Sequence, residues 1–292
     1  MYRELRTRIN KYRRSASPEG GATKVRGLCS GLDCGAAFDS RQHIRLLTFN
    51  IQVGISTSSY KHYLTRSWQH FLPHKTRTEN LDKIAMLLQH YDAIALQEVD
   101  GGSLRSGFVN QVQYLAEAGG FPFWYQQLNR DLGRVAQHSN GFLSRLRPLS
   151  VEEYRLPGLI PGRGAIVVKY GREDDPLVLV VMHLSLSLKA QNKQLGFIRE
   201  LLSGYRHVVL MGDMNTHAEQ LLENSPLKGM DLVSLPGAAH SFPSWRPGKA
   251  LDHILVSSSL QVLKAGVVMY PVSDHLPIGL DIALPCGYGS GC

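Results

Sequence analysis

The strongest constraint on this chain is a series of short apolar segments, each of strand length and each meeting a polar cluster. "RLLTFN" ends at Asn50, "AIALQE" at Glu98, "LVLVVMH" at His183 and "HVVLMGDMN" at Asp213 and Asn215. "ALDHILVS" (250–257) carries Asp252 and His253 at its start, and "VSDHLPI" carries Asp274 and His275. Continuous apolar runs of about 4–8 residues mark strands buried on both faces. Further strands are expected near residues 141–146, 165–170, 176–186, 263–270 and 276–284. Between them, residues 79–90, 109–118 and 190–203 read as amphipathic helices, the first with Leu81, Ile84, Leu87 and Leu88 on one face. Many doubly buried strands and few helices predict an α/β protein of two sheets packed face to face, with helices on the outer surfaces.

No linker interrupts residues 41–284, which are therefore expected to form one domain. Residues 1–40 are rich in Arg, Gly and Ser without periodicity and read as a disordered basic tail, and residues 285–292 as a short C-terminal tail. The formal charge of +8 is concentrated at the start. Residues 1–26 hold eight Lys and Arg against Glu4 and Glu19, a net of +6, which leaves +2 from 24 basic and 22 acidic side chains elsewhere. The body thus lacks the basicity of a dedicated duplex-DNA binder, and any anionic partner of the arm would be met by the tail. No apolar run approaches the roughly 18 residues of a membrane span, and no apolar region follows the basic start as in a secretory signal. Cys29, Cys34, Cys286 and Cys292 lie in the terminal segments at spacings unlike those of zinc modules. A Cys-free core with no signal predicts a monomer in the reducing cytoplasm, with contact at a membrane surface as the variant reading.

Taken singly, the polar clusters are weak signals, since a His after an apolar run is as a rule a hydrogen-bonded core or edge residue. Gathered at one end of a sandwich, they would make a cleft rich in carboxylates and His. Hard oxygen ligands such as Glu98 and Asp274 suit Mg²⁺ or Mn²⁺ rather than zinc. A further carboxylate can activate water, and His can stabilise charge on a phosphoryl oxygen, which adds up to metal-assisted hydrolysis of a phosphoester. The competing signatures are missing: there is no G-x-S-x-G, Walker A loop, H-E-x-x-H or G-x-G-x-x-G.

The segments "LLTFNIQVG", "IALQEVD", "NGFLSR", "VVMHLSLS", "LMGDMNTH", "LDHILVS" and "VSDHLPI" occur in the order seen in the endonuclease/exonuclease/phosphatase superfamily, which the chain resembles over roughly residues 44–283. That superfamily includes exonuclease III, DNase I and sphingomyelinases, and the overall form here is similar to bacterial members. The resemblance implies a DNase I-like, four-layer α/β/β/α sandwich. It also implies a metal site of Asn50, Glu98 and Asp274, and catalytic roles for His183, Asp213, Asn215, Asp252 and His275. In this scheme Asp213 orients or deprotonates the attacking water, His183, Asn215 and His275 hold phosphate, and Asp252 fixes the tautomer of His275. Gln52 stands where many nucleases carry Asp, which implies a thinner metal shell completed by water. Asn140, in the "N-G-x-L-S-R" pattern, and Trp245 and Arg246, in "SWRPGK", are expected to contact substrate. His138 reads equally well as a supporting or a solvated residue.

The substrate is less well defined. Residues 60–78 mix Tyr, Trp and Phe with Lys, Arg and His, a composition that can stack bases and meet phosphates, lie on a lipid surface, or simply pack as an amphipathic helix. Nucleic acid is favoured over phospholipid by the basic arm and the DNase-like first motif. A lipid or sphingomyelin phosphodiesterase, or a small-molecule phosphatase, is the alternative. A non-catalytic binding protein would be expected to have lost some of the site residues, and none is lost.

Overall fold

Alternation along the strands decides where most of their side chains go, with register shifts in three of the strand pairs. The computed structural model describes residues 26–27, 42–54, 75–158, 162–235, 239–284 and 288. The expectations for the four Cys, for residues 60–74 and for nearly all of the two tails fall outside the described residues.

One sheet contains seven strands in the order β1-β4-β5-β3-β2-β13-β12. These are β1 (Arg26–Gly27), β2 (His43–Asn50), β3 (Ala93–Asp100), β4 (Phe123–Asp131), β5 (Gln137–Ser144), β12 (Val262–Val267) and β13 (Ile278–Ala283). The other contains six, in the order β10-β11-β9-β8-β7-β6. They are β6 (Ser150–Arg155), β7 (Gly164–Gly171), β8 (Pro176–His183), β9 (His207–Asp213), β10 (Leu232–Val233) and β11 (Asp252–Ser257). Both sheets are mostly antiparallel, with parallel pairing of β2 with β3 and of β8 with β9. Helices α1 (Lys75–Leu88) and α2 (Gln111–Gly119) belong to one side of the sandwich, and α3 (Leu188–Leu202) and the short α4 (Ala218–Glu223) to the other.

Three apolar clusters show the four layers. Between the sheets lie Leu46, Ala95, Phe142, Ile166, Leu179, Val181, Met211, Ile254 and Leu280. The neighbouring residues in sequence face outward: Val178, Val180, Val208 and Leu210 pack with Leu195, Ile198 and Leu202 of α3. Leu47, Phe49, Ile94 and Leu96 pack with Leu81, Ile84 and Leu88 of α1 and Leu115 of α2. In central strands such as β8 and β9 each residue therefore serves one of two apolar interfaces, which is why these strands are apolar throughout rather than alternating. Fully burying one such side chain is worth about 1.5–3 kcal/mol, so these interfaces hold the sandwich together. Local signals set the helix ends: Asn110 accepts from the backbone of Val112 and Gln113, and Gly120, left-handed at φ 69°, ends α2. Among the described residues no helix is long and apolar enough to cross a membrane.

The strands expected from apolar runs are present, but two others have more polar sequences. β4 continues as "QQLNRD" after its aromatic start, and the edge strand β6 is "SVEEYR". The short α4 was not expected either.

Candidate active site

The inward-facing column of each strand changes from apolar to polar toward one end of the sandwich. In β8 it reads Leu177, Leu179, Val181, then His183; in β9, Val209 and Met211, then Asp213; in β11, Val256 and Ile254, then Asp252. Pairing brings these ends together. His183 is registered with Asp213 across β8 and β9, and Asp213 with Asp252 across β9 and β11. From the opposite sheet Asn50 closes the column of β2, and its Nδ2 donates to Asp213 Oδ2 at 3.1 Å.

Gly212, just before Asp213, is required by space: a Cβ there would lie 1.8 Å from the carbonyl oxygen of Met182, and its φ is 149°. Asp213 Oδ1 accepts from the backbone N–H of Asn215 at 3.0 Å, a turn that Asn215 completes in the left-handed region at φ 52°. Asn215 also donates one amide N–H to the Leu184 carbonyl at 2.9 Å. Met214 packs into the cluster beneath α3, away from the cleft.

Asp213 and His275 form the centre of the site. Asp213 Oδ2 lies 3.6 Å from His183 Nε2 and 3.9 Å from His275 Nε2. The other ring nitrogen of His275, Nδ1, lies 2.7 Å from Asp252 Oδ2. The same oxygen accepts from Ser241 Oγ at 2.5 Å, and the ring of Phe242 packs on His275 at 4.8 Å between centroids. The segment 241–244 is laced to the loop that carries the site: Leu276 N–H donates to Ser241 O, Ser244 N–H to Asp274 O, and Ser244 Oγ to Ser273 O. Trp245 is half-buried and Arg246 exposed on the continuation of this segment.

Electrostatics follow from that burial. Burial raises the Asp213 carboxyl to about 7, with the neighbouring Asp252 charge adding to the effect and His275 opposing it. For His275 burial acts downward, but the charges of Asp252, Asp213 and Asp274 and the hydrogen bond that Nδ1 donates to Asp252 outweigh it and lift the ring to about 10. His275 is thus held as the cation. His183 is pushed well below its ordinary value, first by burial and then by the charges of Arg163 and His275, and stays neutral.

Glu98 reaches the cleft by an irregularity. The β3–β5 register shifts between Leu96, opposite Gly141, and Val99, opposite Ser139, so Gln97 and Glu98 together face the single residue Asn140. In this bulge Glu98 adopts φ 55°, unusual for a residue with a side chain. Leu96 and Val99 both pack beneath the helices, which takes Glu98 out of the alternation that would have turned it there. Its charge acts on Asp213, Asp274, His138 and Arg163. The Asp274 carboxyl is raised to about 6, mainly by burial, with Glu98 adding to the effect against His275, and it accepts from Ser273 Oγ at 3.2 Å.

Two sets of side chains could therefore be considered for a metal. Asp213, Asp252 and His275 offer ligand atoms within 4.8 Å of one another. Their chemistry is unsuitable: His275 is protonated and Asp252 Oδ2 already accepts two hydrogen bonds. Glu98 and Asp274 fit a hard cation better, as oxygen donors whose charges repel and which form no ion pair among the described residues. Asn50, the third expected ligand, uses Oδ1 to accept from Gln52 N–H at 3.1 Å while its Nδ2 holds Asp213.

Asn140 is buried, donating to Gly164 O at 3.1 Å and to Gln127 Oε1 at 3.4 Å. His138, half-buried on β5, has its pKa lowered by burial and then by Arg105. His253 is turned to the backbone, its Nε2 on the carbonyl of Thr216 at 2.7 Å. Sequence reasoning did not single out Ser241 or Phe242, which lie just ahead of the "SWRPGK" segment.

The model of the endonuclease/exonuclease/phosphatase family matches residues 47–275. The chain belongs to this family. It is thereby a hydrolase of phosphoester bonds. No curated protein matches it in sequence. Among solved structures, a family protein from Beutenbergia cavernae is 20% identical with a TM-score of 0.63, over 84% of this chain and 72% of that one. A mannosyl-6-phosphatase from Bacteroides thetaiotaomicron is 16% identical, with a TM-score of 0.57 over 82% of this chain and 100% of that one. D. rerio TDP2 in complex with a single-strand DNA product is 14% identical, with a TM-score of 0.60 over 83% of this chain and 99% of that one. These likenesses establish the DNase I-like sandwich.

Proposed function

We propose that this member of the family is a divalent-metal-dependent phosphodiesterase that acts on nucleic acid. The observation that carries the reading is the setting of Asp213. A carboxyl raised to about 7 beside a cationic His is matched to taking a proton from water at neutral pH. In this reading Asp213 removes the proton of the water that attacks phosphorus, while the bond from phosphorus to the leaving ester oxygen breaks and that oxygen takes up a proton from solvent. Asn50 and the backbone N–H of Asn215 keep its two oxygens oriented. His275, charged through Asp252, donates from Nε2 to a phosphoryl oxygen. Neutral His183 and the remaining amide N–H of Asn215 supply further donors. Glu98 and Asp274, with Asn50 nearby, would hold Mg²⁺ or Mn²⁺, which when bound supplies charge to offset that of the phosphate. Trp245 and Arg246, which follow Ser244 beside the Asp274 loop, would contact the substrate.

Nucleic acid is supported by the +6 of residues 1–26 and by the DNA product bound to the structurally similar TDP2. The test is a panel of single- and double-stranded DNA, RNA, sphingomyelin, a sugar phosphate and bis-p-nitrophenyl phosphate, each with Mg²⁺, Mn²⁺ or EDTA. Cleavage of DNA or RNA that EDTA abolishes is the expected result. Turnover of lipid or sugar phosphate alone would replace the substrate class, and turnover undiminished in EDTA would remove the metal.

A further inference from the structure

A second set of nucleophilic and titratable side chains lies at the pole of the sandwich opposite the cleft. Strand β9 begins at His207 and ends at Asp213. At about 3.3 Å per residue its two ends stand on the order of 20 Å apart. Three parts of the chain meet at the His207 end: the turn from β7 to β8 brings Asp175, β9 supplies His207, and the turn after β11 brings Ser259. His207 Nδ1 lies 2.9 Å from Ser259 Oγ, and His207 Nε2 lies 3.5 Å from Asp175 Oδ2. Hydroxyl, imidazole and carboxylate thus stand in series, with each ring nitrogen facing one partner.

Backbone pairing and packing fix this placement. His207 is registered with Leu177 across β8 and β9, two residues beyond Asp175. Ser257 Oγ accepts from Val208 N–H at 3.0 Å and lies 3.0 Å from Ser259 Oγ, which ties the Ser259 turn to the start of β9. The His207 ring is buried, with the Tyr288 ring edge-on to it at 5.7 Å between centroids. Ser259 is exposed and Asp175 half-buried. Burial, opposed by the charge of Asp175, holds the pKa of His207 below its ordinary value, so the ring is neutral at pH 7 and able to take a proton. With Nε2–H directed at Asp175, Nδ1 presents its lone pair to the Ser259 hydroxyl. That hydroxyl has a second acceptor in Arg206 O at 3.0 Å, and rotation about its Cβ–Oγ bond carries the hydrogen from one to the other. The backbone N–H of Ser259 makes no hydrogen bond to a described residue.

A nucleophile within reach of a base, a carboxylate that orients the base, and an open N–H beside the nucleophile are the parts of acyl transfer. They come here from three separate stretches of chain, so no local signature such as G-x-S-x-G is required. We propose that Ser259, His207 and Asp175 form a second reactive centre, at which Ser259 is acylated by a small carboxylic ester. Ser259 Oγ attacks the carbonyl carbon while its proton passes to His207 Nδ1. The oxyanion so formed is met by the Ser259 N–H, and Asp175 offsets the charge gained by the ring. The bond from carbon to the alcohol oxygen then breaks, the proton leaves Nδ1 for that oxygen, and the acyl group stays on Ser259. A hydroxyl exposed on a turn takes its acyl group from open solvent, which is why the class is a small activated ester. This centre shares no residue with the phosphoester cleft.

The test incubates the full chain with p-nitrophenyl acetate, follows release of p-nitrophenolate, and locates the acetyl group by peptide mass spectrometry. In the wild type, Ser259 should be acetylated far faster than its exposed neighbour Ser258. His207→Gln should slow acetylation of Ser259 by about 10²–10⁴-fold, the scale of a general base. Asp175→Asn should slow it by less, about tenfold, because this carboxylate is partly open to water and its charge is screened. A network that serves only to hold the turn predicts Ser259 no more reactive than Ser258, and that result overturns the proposal. Acetylation of Ser259 at the wild-type rate in His207→Gln, with the variant folded by circular dichroism, overturns it as well. Should His207→Gln fail to fold, Asp175→Asn decides by the same criterion.

Discussion

The cleft has two parts that solve opposite problems. Around Asp213, nearly every polar group is engaged: Asn50 and Asn215 on Asp213, and Ser241 and His275 on Asp252. Glu98 and His183 carry charge or a ring nitrogen into the same space with no hydrogen bond from the side chain to a described residue, and Asp274 has only Ser273. The first part is already arranged, as proton transfer requires of groups whose pKa values must be set before substrate arrives. The second is left unsatisfied, as expected of groups whose partners are a cation and a phosphate. Unpaired buried charge destabilises a fold, so binding energy is available to ligands that complete this part.

The largest expected effect breaks the arranged part at its centre. Asp213→Asn should lower kcat by about 10³-fold or more, the upper range for a general base, with the circular dichroism spectrum unchanged. The same variant should be more stable at alkaline pH. Folding raises the Asp213 pKa from an ordinary value of about 3.9 to about 7, so the ionised carboxylate costs stability progressively across that interval, and fully above it. Thermal unfolding in EDTA should therefore show a higher Tm for Asp213→Asn near pH 8 and no gain near pH 4, both taken as approximate limits of that window.

Asp252→Asn comes next. It removes the leading charge that lifts His275, so the alkaline fall in activity should move from near 10 to lower pH and kcat at neutrality should drop by about 10²-fold, the scale for losing an orienting carboxylate. The open part is addressed by Glu98→Gln. That variant should keep its fold and recover activity only with Mg²⁺ or Mn²⁺ raised by more than the roughly 10–100-fold that loss of a supporting partner requires. Activity equal to wild type at low Mg²⁺ would make the contrast between the parts wrong. The smallest effect is expected from Ser241→Ala, which removes one of two bonds to Asp252 Oδ2 and should cost about 1 kcal/mol of stability in urea unfolding.

Much of this arrangement was legible in the sequence because it repeats one rule, an apolar strand ending in a polar residue on its inward column. Asn50, His183, Asp213 and Asp252 obey it. The four-layer sandwich follows from the same strands, whose continuous apolar character requires cover on both faces. What was hidden breaks the rule. Glu98 has the wrong parity for the cleft and reaches it only through the bulge opposite Asn140, which no local pattern announces. Ser241 lies 11 residues from Asp252 and meets it only through the folded segment 241–249.

The central claim is that Asp213, poised near neutrality beside a cationic His275, is the base of a phosphoester hydrolase. The pH dependence of kcat for bis-p-nitrophenyl phosphate, measured for wild type beside Asp213→Asn, tests it most directly. The account predicts a wild-type rate that rises with pH as Asp213 loses its proton around 7 and falls as His275 loses its own toward 10, with the rising limb absent from the residual activity of Asp213→Asn. A wild-type rate indifferent to pH through this range, or a variant that keeps both the rate and the rising limb, would contradict it.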